Sequence, residues 1–255
     1  MYLEKYLSQL NNQGLETSVL DVSKQIDDNV KKFFTFKDNV TGLLFGNVQS
    51  GKTAQMLGAI ARFADEGYMI FLLLTSDNVD LQRQTFLRTQ SSLIDFNVLS
   101  ERDDLKFLQD GLRKPTVIVL KKNGRILKKW REILLSCQSC KGKFLMIFDD
   151  EGDNASLNTL VNKNRQSTIN KNLDAIKDSA SSCVYFEVTA TPQSLILQSE
   201  ISGWHPKFVN YFKPGKGYLG GDFFYADPKP FCIKFTKANE LDDVTAEDDN
   251  YCPEG

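Results

Sequence analysis

The 255 residues carry 31 Lys and Arg against 33 Asp and Glu, a formal net charge of −2, with 41% hydrophobic and 25% charged residues. This is ordinary globular composition. It provides no global basic field for nucleic acid, so any such contact must come from a local patch. No apolar run approaches the ~20 residues of a bilayer span, and the opening MYLEKYLSQLNNQ lacks the basic-then-apolar layout of a signal peptide, which makes a cytoplasmic location the expectation. Five cysteines, an odd number, form no disulfide framework. Cys137 and Cys140 make a CxxC, but the single histidine, His205, and the lack of a second CxxC leave a zinc site short of ligands; reduced structural thiols are expected instead.

In chain order, residues 1–40 read as an amphipathic helical segment, with Val19, Leu20, Val22, Ile26 and Val30 as a partial apolar stripe. TGLLF (41–45) is a short strand. Met56, Leu57, Ile60, Ala61 and Phe63 then recur at helical spacing. YMIFLLLT (68–75) is a continuous apolar run, as in a strand buried on both faces. A helix is predicted over 78–93, a strand over TVIVL (116–120), and a helix with a basic outer face over 123–137. Strands KFLMIF (143–148) and VYFEVT (184–189) follow. Alternation of strand and helix predicts an α/β fold, a mostly parallel sheet with helices on both faces, whose functional groups gather at the C-terminal strand ends. Beyond residue 200 the chain turns aromatic and rich in Gly and Pro, then acidic over 240–250, with little regular pattern. The expected division is an N-terminal helical segment (1–40), a central α/β domain (41–225) and an acidic extension (226–255).

GNVQSGKT (46–53) has the G-x-x-x-x-G-K-T spacing of a phosphate-cradling loop, in the required strand–loop–helix context. Gly46 and Gly51 let the backbone of Asn47, Val48, Gln49 and Ser50 curl with its N–H groups toward phosphate oxygens. The following helix N-terminus adds partial positive charge. Lys52 is expected to reach the β- and γ-phosphates of ATP, and the Thr53 hydroxyl to ligate magnesium.

A nucleoside triphosphatase also needs a carboxylate for the metal and another to orient or deprotonate water. LMIFDDEGD (145–153) supplies both: Asp150 for magnesium and Glu151 as base, with Asp149 as the alternative metal-side carboxylate. Asp153 completes a D-E-x-D arrangement. At the end of the next strand, Thr189-Ala190-Thr191 stands where a polar sensor lies between the phosphate-loop strand and the acidic strand. Asp153, Thr189 and Thr191 are the candidate sensors of the γ-phosphate.

The phosphate loop, D-E-x-D and T-A-T in this order resemble the first RecA-like lobe of superfamily-two helicases and translocases. The finer wording is similar to the Z-one domain, an ATPase domain met beside bacterial restriction–modification and defence genes. VQSGKT (48–53), ADEGY (64–68), LTSDNVDLQRQT (74–85), VIVLKKN (117–123), DDEGDNAS (149–156), and VTATPQS (188–194) through HPKFVNYFKPGKGYLGG (205–221) carry the likeness. It covers roughly residues 40 to 225. It implies a P-loop NTPase (RecA-like) three-layer sandwich, an ATP- and magnesium-dependent motor segment acting on DNA, and a link to restriction or phage defence.

Such motors close ATP between two lobes, the second donating arginines to the transferring phosphoryl. No second sheet is legible after residue 225, so a second RecA-like lobe in the same or another chain is an expected partner. No Glu-x-Lys follows a spaced Asp on a strand, and one histidine cannot build a His-rich nuclease site. KKNGRILKKWRE (121–132) has six basic residues against one acid. In the resembled family this edge carries the DNA groove, which makes Lys121, Lys122 and Asn123 candidates for phosphate contacts, with Thr75 and Ser76 (and Asn78 after them) beside them. The other reading of this stretch is a solvated helix face with Leu127, Trp130 and Leu134 inward. A nucleotide-binding regulatory or scaffold module without turnover is the alternative function; a small-molecule kinase fits less well, for want of an Arg-rich lid.

Overall fold

The computed structural model describes residues 1–10, 14–47, 51–110, 112–152, 168–193, 195 and 205–212. Seven strands form one sheet in the order β3-β4-β2-β5-β6-β1-β7. They are β1 (Val40–Gly46), β2 (Ile70–Thr75), β3 (Asn97–Ser100), β4 (Thr116–Lys121), β5 (Leu145–Asp150), β6 (Cys183–Thr189) and β7 (Phe208–Phe212). Every neighbouring pair is parallel. The fold is therefore α/β, a parallel sheet between two helix layers, as expected.

Strand period divides the core in two. Phe71, Leu73, Val117, Val119, Met146, Phe148, Val184 and Phe186 face one helix layer. That layer comprises α1 (Tyr2–Leu10), α2 (Glu16–Phe33), α3 (Lys52–Asp65) and α4 (Val79–Ser92). Ile70, Leu72, Leu74, Ile118, Leu120, Leu145, Ile147 and Tyr185 face the other, formed by α5 (Asp104–Asp110), α6 (Gly124–Ser136) and α7 (Thr168–Lys177). Both sheet faces are covered, which is why β2 is buried at every position.

The N-terminal helices pack onto the helix that follows the phosphate loop. Tyr6 Oη donates to Ala54 O at 3.0 Å, and Gln55 Nε2 donates to Ser18 Oγ at 2.8 Å. Asp27 of α2, itself buried, pairs with Arg62 of α3 and with Lys31, each at 3.0 Å. α3 is consequently buried on nearly all sides, including Met56, Leu57, Ala59, Ile60, Ala61 and Phe63. Val19, Val22, Ile26 and Val30 line the inner face of α2 as expected, whereas Leu20 is exposed, one residue off that stripe.

Four elements depart from the sequence expectation. β3 has four residues and α5 seven, too short for periodicity to declare itself. α7 is mostly polar, with Ile169, Leu173 and Ile176 packed into the core from one face. β7, in the stretch read as irregular, alternates buried and exposed as an outer strand beside β1. The acidic extension (226–255) lies outside the described residues. Cys137, Cys140 and Cys183 are buried free thiols, the first two packed under α6. Among the described residues no helix is long and apolar enough to cross a membrane.

Candidate nucleotide-binding site

Parallel strands bring their C-terminal ends to one edge, and the motifs meet there. β6 lies between β1 and β5, with Phe45 opposite Thr189 and Val188 opposite Asp150. The T-A-T segment thus sits between the phosphate-loop strand and the acidic strand in space, though it is the last of the three in sequence.

β1 ends at Gly46, and α3 begins at Lys52. Gly51, the N-cap of α3, has φ +87°, left-handed backbone that a side chain would strain. Having no side chain, it leaves the first N–H groups of the helix uncapped, a polarity suited to an anion. Lys52 Nζ reaches back across the loop to Asn47 O at 3.2 Å. Thr53, half-buried, stands in the first turn of α3. Val48, Gln49, Ser50 and Asp153, four expected site residues, lie outside the described residues.

The acidic residues divide by strand alternation. Asp149 shares the parity of Leu145 and Ile147 and turns toward the α6–α7 side. It is buried, forms an ion pair through Oδ1 with Lys122 Nζ at 2.9 Å, and accepts a hydrogen bond at Oδ2 from the Tyr185 hydroxyl. Asp150 shares the parity of Met146 and Phe148, the side on which α3 lies. Burial first, then the neighbouring Glu151 charge, push the Asp150 carboxyl up to about 6, while Lys52 and Lys122 pull it down. Lys52 is thus within electrostatic reach of Asp150. Glu151 is exposed and has φ +55°, an uncommon conformation for a non-glycine residue.

The oxygen donors at this edge suit magnesium. A hydroxyl and one or two carboxylates, completed by phosphate oxygens and water, are what that hard cation takes in phosphoryl-transfer sites. Among the described residues no cluster of three or more His, Cys, Asp or Glu groups forms a metal cage.

Thr189 is buried, and its Oγ1 accepts from Thr191 N at 2.9 Å and lies 3.4 Å from Thr191 Oγ1, which shapes the turn after β6. The nucleic-acid candidates share the β2–β4 edge, with Thr75 opposite Lys121. Thr75 is buried, its hydroxyl on Ser76 O and Leu120 O. Ser76 is partly exposed beside it. Lys121 is half-buried near Glu101 at 3.7 Å. Asn123 caps α6 by accepting from Arg125 N and donates to Asp77, as Asn78 caps α4. Lys122 requires correction: its side chain is 0% exposed and is held by the acidic turn, so it offers no atom to a nucleic-acid phosphate. Leu127, Trp130 and Leu134 point inward, leaving Arg125, Lys128 and Lys129 as exposed cations of α6, the last paired with Asp104 at 2.7 Å.

Sequence reasoning passed over Tyr185 and Glu187. A charged residue inside the apolar run VYFEVT was the available signal, since burying a carboxyl demands a reason. Glu187 stands opposite Asp149 and is buried, and its Oε2 accepts no hydrogen bond from the described residues. Burial, then the charge of Asp149, push its carboxyl up to about 8.

No family model matches the sequence, and no curated protein does. Solved structures with a similar backbone include the helicase domain of Pyrococcus furiosus Hef, at 14% identity and TM-score 0.40, over 72% of this chain and 37% of that one. The DUF1998 helicase MrfA bound to DNA matches at 14% identity and TM-score 0.49, over 83% of this chain and 29% of that one. A chain of the E. coli MS115-1 HORMA:CdnC:Trip13 complex matches at 12% identity and TM-score 0.29, over 84% and 66%. The chain therefore spans 37% and 29% of the two helicase chains. The Z-one likeness expected from the motifs thus has no matching family model behind it, and the fold rests on the strand order.

Proposed function

We propose that the chain is the ATP-binding and ATP-hydrolysing RecA-like lobe of a DNA-dependent, helicase- or translocase-like protein connected with restriction or phage defence. The observation that carries the nucleotide reading is the adjacency of β1, β6 and β5, with Lys52 in electrostatic reach of Asp150 on the α3 side of the sheet. Asp150, rather than Asp149, is the magnesium-side carboxylate, because Asp149 is committed to Lys122 and Tyr185 on the opposite side.

In this reading the loop from Gly46 to Gly51 and the N-terminus of α3 hold the phosphates, and Lys52 leaves Asn47 O to meet them. Thr53 and Asp150 would hold magnesium, whose charge supports the developing negative charge on the phosphoryl oxygens. Glu151, exposed on the same turn, orients and deprotonates the attacking water. Thr189 and Thr191, with Asp153, respond to the γ-phosphate. DNA and a second RecA-like lobe are the partners, the lobe because nothing at this edge donates an arginine to the transferring phosphoryl among the described residues.

Lys52→Ala tests the assignment. The variant removes the cation assigned to the phosphates from a half-buried position at the helix end, so Mg·ATP affinity falls by about 100-fold or more, while the thermal melting curve stays that of the unsubstituted chain. Calorimetry on both forms measures this; equal affinities overturn the phosphate-loop reading.

A further inference from the structure

A lysine at the C-terminal end of a buried strand is expected to turn outward. Lys122, directly after β4, does the reverse and spends its ammonium on the neighbouring acidic turn. Nζ lies 2.9 Å from Asp149 Oδ1 and donates to Asp150 O at 3.0 Å and to Glu151 O at 2.6 Å. An ammonium has three protons, and three acceptors of one turn take them. Neutralising Asp149 needs only the first; the other two act on the backbone of the residues assigned above to metal and water.

That backbone requires restraint. The Asp150 and Glu151 carbonyls fall where β5 ends and the sheet ladder no longer takes both. Glu151 has left-handed φ, which a non-glycine residue keeps only where its surroundings hold it. On the other side, Gly152 N donates to Val188 O at 3.0 Å. A Cβ on Gly152 would lie 3.1 Å from the Cβ of Glu187. The turn is gripped between Lys122, just after β4, and the backbone of β6.

We propose that Lys122 is a positioning residue: its buried ammonium sets the backbone of Asp150 and Glu151 so that their side chains face the phosphate loop in the geometry that binds a magnesium-bound nucleotide. This rests on the nucleotide reading of the same edge and adds a residue that touches neither phosphate nor metal.

The test compares the unsubstituted 255-residue chain with Lys122→Met and Lys122→Met/Asp149→Asn. The double variant removes both buried charges and, with the ammonium, the donor that the two carbonyls have in the unsubstituted chain. Calorimetry of ATP binding, in EDTA and then in magnesium, reads the gain that magnesium brings, with melting curves as the check on folding. The expected result is a folded double variant whose magnesium-free ATP affinity stays within about twofold of the unsubstituted chain. Its magnesium-dependent gain falls by about tenfold, as when an outer partner of a metal ligand is removed. An undiminished gain in a folded double variant overturns the positioning role while leaving the nucleotide reading intact. Failure of both variants to fold assigns Lys122 to stability alone and also overturns it. No magnesium-dependent binding by the unsubstituted chain overturns the nucleotide reading and this proposal together.

Discussion

Glu187 illustrates what a single buried carboxyl does to stability. Its ordinary value is 4.5, and burial raises it to about 8 in the folded chain. Between those values the folded state holds a proton that the unfolded state has released. Stability is therefore fullest below about 4.5 and falls as pH rises, by about 1.4 kcal/mol per pH unit at most. Asp150, raised from 3.8 to about 6, adds a slope of the same sign at lower pH. The window from pH 6 to 8 isolates Glu187. Glu187→Gln, neutral throughout, flattens the urea-unfolding free energy across that window; an unchanged slope would show that Glu187 is not the titrating group. The Lys122–Asp149 pair sets the contrast. Both charges are fully buried, so removing one alone costs about 3–5 kcal/mol, whereas neutralising both costs far less.

At the scale of elements, the helix that carries the phosphate-loop lysine is held as much by α1 and α2 as by the sheet. The close approach of α2 to α3 depends on Gly58, where an added Cβ would come within 2.3 Å of Val19 Cγ1. Val19 is β-branched and fully buried, with little freedom to yield. Gly58→Ala gains roughly 1 kcal/mol of helix propensity but incurs an overpacking cost of about 1–3 kcal/mol. The expected net change is a loss of up to about 2 kcal/mol in chemical denaturation. Adding Val19→Ala opens the space, so the double variant loses less than the sum of the single losses. Additive losses would show that the two side chains do not compete for that volume. α2, α3 and the long apolar strands were legible because each presents a whole face or a continuous apolar run. β3, α5, α7 and β7 were not: α5 is shorter than two helical turns, β3 and β7 have only four and five residues, and α7 is mostly polar.

For the whole molecule, a net charge of −2 provides no long-range attraction for DNA, so whatever binding the lobe has comes from local cations. With Lys122 interior, Lys121 near Glu101 and Lys129 paired with Asp104, Arg125 and Lys128 are the remaining exposed cations of α6 among the described residues. Fluorescence anisotropy with labelled single- and double-stranded DNA across a salt series is expected to give weak binding that falls steeply with salt. Reversing both charges, Arg125→Glu/Lys128→Glu, lowers the affinity and reduces the salt slope by about 1 for each phosphate no longer neutralised. ATP affinity is unchanged, since α6 follows a different strand from the phosphate loop. Tight binding insensitive to salt would place the DNA-binding surface elsewhere.

The phosphate-loop spacing, the acidic residues after an apolar run and the strand–helix alternation are local patterns, and the sequence by itself determined them: residues a few positions apart carry the whole signal. It also placed Leu127, Trp130 and Leu134 inward, since helical spacing alone makes them one face. Strand order and strand parity are long-range, and only the tertiary structure decided them. In the chain Asp149 and Asp150 are interchangeable neighbours; in the sheet one turns toward α6 and α7 and the other toward α3. Lys122 reads as a surface cation in a basic run until β5 is laid two strands from β4, across β2, where the two strand ends meet beyond the sheet's edge. A buried charge is decided by what the fold brings within 3 Å of it, and that neighbour lies 27 residues away in sequence.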